Sequence, residues 1–223
     1  MKNRDLLREK LCVYLVIGTQ DCGHSVERTV SVVREALAGG IGTVQLRDKG
    51  SKLTKEERYS LALRLLQLCR ENDALFFIND DVELAVRVQA DGIHVGQDDM
   101  PLAQVQQLVG PDMYIGISAG TPEEAMAALS GGADYLGVGA MYVTASKADA
   151  GEPIGPAGLA EIRQAVGAEL PIVGIGGITA GNCSPVIAAG ADGVAVISAI
   201  SRAKSPRHAA QQLAEAVRRT RQC

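Results

Sequence analysis

Tryptophan is absent from the 223 residues, and phenylalanine occurs only twice. A chain that is 47% hydrophobic with so few rings must draw its core from Val, Ile, Leu and Ala, the palette of a buried parallel sheet covered by helices. The five cysteines, Cys12, Cys22, Cys69, Cys183 and Cys223, include no CxxC pair. That excludes a zinc ribbon and suggests reduced thiols in a cytosolic protein. The three histidines, His24, His94 and His208, show no HExxH or comparable metal spacing. No run approaches the roughly 20 apolar residues needed to cross a bilayer, and the N-terminal MKNRDLLREKL lacks the apolar stretch of a signal peptide. A cytoplasmic location with no membrane partner is therefore expected. Excess charge of either sign is also missing, with 22 Lys and Arg against 26 Asp and Glu, which argues against a nucleic-acid partner. The one dense basic run, Arg218, Arg219 and Arg221, reads as the end of a helix.

What the chain does have is an architectural beat. Apolar strand candidates fall at 13–17, 43–46, 75–78, 93–95, 113–117, 135–138, 171–175 and 193–197. Helical patterns fill the intervals at 25–38, 54–71, 81–89, 101–109, 122–130, 156–167 and 181–189, and a last one follows at 206–221. Thr121-Pro122-Glu123-Glu124 carries a cap, a proline at the first helical position and acids in the first turn. Ala90-Asp91-Gly92, Gly132-Ala133-Asp134 and Gly190-Ala191-Asp192-Gly193 precede strands four, six and eight, making the repeat nearly literal. No linker or low-complexity segment interrupts it. The spacing predicts an α/β chain folded as a single (β/α)8 TIM barrel over residues 1–223, with an open eight-stranded sheet as the alternative.

A barrel carries its site at the C-terminal strand ends, and those positions are polar here. Gln45, Arg47 and Lys49 alternate to one side of strand two and its extension, bringing an amide, a guanidinium and an ammonium to one pocket. Asn79-Asp80-Asp81 ends strand three, where one acid could cap the following helix. Asp99, after strand four, could also cap a helix; facing Arg47 and Lys49 together with its neighbour, it makes a better site for Mg2+ bridged to phosphate. His94 reads as a structural histidine, with substrate contact as the alternative. Ser118 ends strand five. Thr144, Ser146 and Lys147 lie in a long polar loop after strand six, a candidate lid able to hold pyrophosphate. Gly176-Gly177 and the segment from Ser198 can offer backbone N–H groups to a second phosphate. Two phosphate-binding halves without a nucleophile and partnered base suit transfer between two phosphorylated substrates better than hydrolysis. An isomerase acting on one phosphorylated substrate remains open.

The order and spacing of QLRDK (45–49), INDD (78–81), DGIHVGQDD (91–99), GIS (116–118), VTASKADA (143–150), VGIGGIT (173–179) and GADGVAVISAI (190–200) resemble the thiamine phosphate synthase family over nearly the whole chain. The resemblance implies a transferase of thiamine biosynthesis that joins 4-amino-2-methyl-5-hydroxymethylpyrimidine pyrophosphate to 4-methyl-5-(2-phosphoethyl)thiazole, releasing pyrophosphate. It implies that Gln45, Arg47, Lys49, Asn79, Ser118 and Lys147 meet the pyrimidine pyrophosphate, with Arg47, Lys49 and Lys147 catalytic. It further implies that Asp80 and Asp99 hold Mg2+, and that Thr144, Ser146, Gly177, Ile197 and Ser198 lie at the thiazole phosphate. The partners are then two phosphorylated small molecules, with a homo-oligomer possible. One departure concerns strand one, where Ile17-Gly18 stands in place of the family's Thr-Asp and removes an expected acid from the mouth. A thiazole tautomerase of the same barrel family is the nearest competing enzyme, and a silent barrel that carries thiazole phosphate is the non-enzymatic alternative.

Overall fold

The computed structural model describes residues 2–144, 146 and 152–221. A short helix, α1 (Arg4–Lys10), leads into β1 (Val13–Ile17). There follow α2 (Val26–Ala38), β2 (Thr43–Leu46), α3 (Lys55–Glu71), β3 (Leu75–Asn79), α4 (Val82–Val88), β4 (Gly92–Val95), α5 (Leu102–Val109) and β5 (Tyr114–Ala119). The second half runs α6 (Pro122–Ser130), β6 (Tyr135–Val138), α7 (Gly155–Val166), β7 (Ile172–Ile175), α8 (Cys183–Ala188), β8 (Gly193–Val196), α9 (Ser198–Ser201) and α10 (Pro206–Arg221). Every strand pairs in parallel with its sequence neighbour, and β8 returns to β1 to close the barrel. The open sheet is thereby excluded. Among the described residues no helix is long and apolar enough to cross a membrane.

Local chemistry sets the element boundaries. Thr54 and Glu57 form a reciprocal capping box at the start of α3, Thr121 accepts from the Glu124 N–H ahead of Pro122, and Asp81 accepts from the Leu84 N–H to cap α4. The three small-residue signals before the even strands share one device. Asp91, Asp134 and Asp192 each accept a backbone N–H of the preceding strand, from Phe76, Ile115 and Ile172, all at 2.8 Å. Each aspartate N–H also donates back to the carbonyl of that same residue. Side chain and backbone together thus fix the entry register of β4, β6 and β8.

The core is double. Between sheet and helices it is largely aliphatic, with Leu15, Val44, Ile93, Leu136 and Val194 fully buried beside Phe76. Inside the barrel the expectation of a purely aliphatic core fails: Tyr14, Phe77, Tyr114 and Tyr135 fill the centre with Val16, Val173, Ala195 and Ile197. The Tyr14, Phe77 and Tyr135 rings pack with centroids 5.6–6.1 Å apart. Few strand positions point inward, so the scarce rings are concentrated there. Helix α1, not anticipated from the sequence, closes the bottom of the barrel by burying Leu7 and Leu11 in this inner cluster. Lys2 and Arg8, flanking and within α1, pair with Asp134 and Asp192 at 2.6 Å and 3.0 Å.

Candidate active site

The strand alternation that points Leu46 into the outer core leaves Gln45 and Arg47 inside, where both are buried. Arg47 is held through its backbone: its N–H donates to Ile17 O at 2.9 Å, and its carbonyl accepts from Gln20 Nε2 at 2.7 Å. The adjacent Asp48 accepts from both the N–H and the hydroxyl of Thr19. Asp21 accepts from the Gly18 N–H at 2.9 Å; burial raises its pKa, opposed by that N–H and by the charges of Arg47 and Arg202. The segment after β1 therefore braces the Arg47 loop. Sequence reasoning missed the bracing roles of Thr19 and Gln20 because Asp48 and the Arg47 carbonyl, which they hold, come from the next strand's loop.

Lys49 reaches across to Asp80 Oδ2 at 2.7 Å, and that carboxylate raises the ammonium pKa. Asp80 occupies left-handed backbone, φ 61°, a conformation that costs a non-glycine residue about 1–3 kcal/mol and concentrates at functional sites. Its N–H donates to His94 O at 2.9 Å, fixing it to the end of β4. Asp99 comes from the loop beyond β4, where its Oδ2 accepts from the Gly96 N–H at 2.8 Å. It does not cap α5, whose N-cap is Pro101. The two carboxyls perturb each other's titration. Burial pushes Asp80 up, Lys49 opposes this and Asp99 adds to it. Desolvation also pulls Asp99 upward, but the hydrogen bonds from Asp80 and Gly96 outweigh it and its pKa falls. Two acids on adjacent strand ends are thus set against each other beside the Lys49 ammonium, an arrangement suited to a divalent cation. Among the described residues no third acid, His or Cys joins them, so the pair fits a cation that takes its other ligands from water and phosphate, as Mg2+ does.

The other half of the mouth is a cavity of about 190 Å3 lined by Ser118, Thr144, Ser146, Gly177, Ile197 and Ser198, among others. All five residues expected at a second phosphate meet there. Ser146 Oγ donates to Ser198 Oγ at 3.2 Å, tying the loop after β6 to α9. Gly177 sits at φ 65°, and a Cβ there would lie 2.8 Å from Tyr142 Cβ and Val143 O, so only glycine admits this close approach. Helix α9 begins at the wall of this cavity, and the first N–H groups of any helix have no partner within it. Lys147 lies outside the described residues.

Between the halves, Gln45, Asn79, His94 and Ser118 line a small recess floored by Tyr14 and Tyr135. His94 bonds Ser118 Oγ and Tyr135 Oη, both at 2.9 Å. The structural reading of His94 is met, since Tyr135 ties it into the core, and from there it holds Ser118 at the mouth. Tyr14 and Tyr135 gave no sequence signal: their bond joins residues 121 positions apart.

Comparison with known proteins adds identity to this geometry. The family model described as thiamine monophosphate synthase matches residues 13–200. A thiamine-phosphate synthase of Geobacillus kaustophilus (strain HTA426) is 50% identical over 216 residues, 96% of each chain. One of Bacillus velezensis is 45% identical over 220 residues, covering 98% of this chain and 96% of that one. The solved thiamine phosphate pyrophosphorylase of Pyrococcus furiosus superposes with a TM-score of 0.86 at 39% identity, covering 96% of this chain and 98% of that one. With barrel, two-halved mouth and relatives in agreement over nearly its whole length, the chain belongs to the thiamine monophosphate synthase family, transferases of thiamine biosynthesis.

Proposed function

We propose that this chain joins 4-amino-2-methyl-5-hydroxymethylpyrimidine pyrophosphate to 4-methyl-5-(2-phosphoethyl)thiazole, giving thiamine phosphate and pyrophosphate. The observation that carries this reading is the division of one mouth into two phosphate-competent halves. Arg47, Lys49, Asp80 and Asp99 gather on one side, and Thr144, Ser146, Gly177, Ile197 and Ser198 surround a cavity on the other. The pyrimidine ring would lie between them, above the recess lined by Gln45, Asn79 and Ser118.

Asp80 and Asp99 would hold Mg2+, which supplies charge neutralisation to the pyrophosphate oxygens when bound. Arg47 offers a fork and Lys49 a point charge to the same oxygens, and Lys147 would add a second ammonium. These groups act where negative charge grows as the methylene C–O bond breaks and the electron pair leaves with pyrophosphate. The aminopyrimidine supports the resulting methylene cation, and the thiazole nitrogen attacks with its own lone pair. No protein base is required for that step. Such chemistry accounts for a site that has paired acids and cations but no nucleophile beside a base.

Simultaneous occupancy tests the division. In a calorimetric titration with Mg2+ present, thiazole phosphate should bind with affinity unchanged or improved after saturation with inorganic pyrophosphate. Mutual exclusion would show that the halves are one site and would overturn the two-substrate reading.

A further inference from the structure

Five strand-borne side chains form one hydrogen-bonded line across the barrel interior. Gln45 Nε2 donates to the Tyr14 hydroxyl at 2.7 Å, and that hydroxyl meets Tyr135 Oη at 2.9 Å. Tyr135 Oη meets His94 Nδ1 at 2.9 Å, and His94 Nε2 meets Ser118 Oγ at 2.9 Å. Tyr14, Gln45, His94 and Tyr135 are all buried. Gly116 and Gly137 make room for the line, since a Cβ on either would run into the Tyr135 or the His94 ring. Burial pushes both phenol pKa values up, so the tyrosines keep their protons.

A line in which each link is made by a single proton has a direction. The Tyr14 oxygen receives the Gln45 amide proton, so its own proton goes to Tyr135. Tyr135 then gives its proton to His94 Nδ1, which fixes the imidazole as the Nε2–H tautomer. That Nε2–H points at Ser118, whose own proton is directed away from His94. At the far end, Gln45 has committed its nitrogen to Tyr14 and offers its amide oxygen. Reversing one link requires reversing every link.

We propose that Tyr14, Tyr135 and His94 are positioning residues that fix Gln45 as acceptor and Ser118 as donor toward the recess, and so select a 4-aminopyrimidine over its 4-oxo analogue. The inference rests on the reading that the pyrimidine binds over Gln45 and Ser118. An amino group donates to the Gln45 oxygen while a ring nitrogen accepts from Ser118. An oxo group sets oxygen against oxygen. A buried site left with mismatched polar groups rejects an isostere much more strongly than an apolar pocket rejects a missing methylene.

The test compares 4-amino and 4-oxo 2-methyl-5-hydroxymethylpyrimidine pyrophosphates, by calorimetric affinity and by kcat/KM with thiazole phosphate. It uses the wild type, Tyr135→Phe, Tyr14→Phe and Tyr114→Phe. The Tyr114 hydroxyl bonds the Asn3 backbone at the barrel bottom, outside the line. Wild type and Tyr114→Phe should prefer the amino ligand strongly, and Tyr135→Phe and Tyr14→Phe should each lose about tenfold or more of that preference, as expected for one buried hydrogen-bond link. General loosening of the barrel would weaken both ligands alike and leave the ratio unchanged. An unchanged ratio in both line variants, or an equal loss in Tyr114→Phe, overturns the inference. If either line variant does not fold, the other decides. A wild type that prefers the amino ligand without turning it over would sink the proposed function and leave this inference standing, whereas turnover without preference would do the reverse.

Discussion

Arg47 is placed by atoms that do not belong to its side chain: Ile17 O, Gln20 Nε2 and the Thr19–Asp48 pair hold the backbone around it. Replacing the side chain leaves that bracing intact, so Arg47→Ala should cost turnover more than stability. A loss of about 10²–10³ in kcat is expected for removing one preorganised charge donor, checked by steady-state kinetics beside thermal unfolding; unchanged turnover would contradict its role. The acid pair gives a second test. Asp80→Asn with Asp99→Asn should shift the Mg2+ activation curve to higher concentration, and wild-type metal dependence in that variant would exclude these ligands. Cys69 offers a check on the interior: burial pushes its thiol well up, so at pH 8 it should resist iodoacetamide in the native chain and react only after denaturation. At this scale the sequence was informative wherever a residue ends a strand. Arg47, Asp80 and Ser198 could be read from alternation and loop position. Gln20, Tyr14 and Tyr135 could not, because their roles depend on neighbours brought in by barrel closure.

Among the elements, α1 is the clearest case of a structure not evident in the sequence. RDLLREK is short and highly charged, and its helical character rests on tertiary packing of Leu7, with Leu11 just beyond, against the inner aromatic cluster. Leu7→Ala should destabilise the chain by about 2–5 kcal/mol through the cavity it leaves, while kcat below the unfolding transition stays near wild type, because the mouth lies at the opposite end of the strands. Chemical denaturation alongside kinetics would separate the two effects. The longer helices were legible because Thr54, Asp81 and Thr121 announce their starts and their apolar faces repeat at helical spacing.

For the whole molecule, closure of the barrel turns scattered motifs into one site. The reciprocal aspartate clasps at Asp91, Asp134 and Asp192 fix register every second strand, and register decides which residues face inward. A single slip would send Gln45 and His94 to the helix side and Leu46 and Ile93 into the mouth. That is why the fold and the set of residues gathered at its mouth were legible together in the strand spacing, whereas the aromatic centre, which depends on all strands at once, was not. The central claim is that the two halves of this mouth serve one condensation. Supplied with both substrates and Mg2+, the chain should form thiamine phosphate and pyrophosphate in equal amounts, with neither appearing when either substrate is withheld. Pyrophosphate released without the thiazole phosphate, or no thiamine phosphate from folded protein, would contradict it.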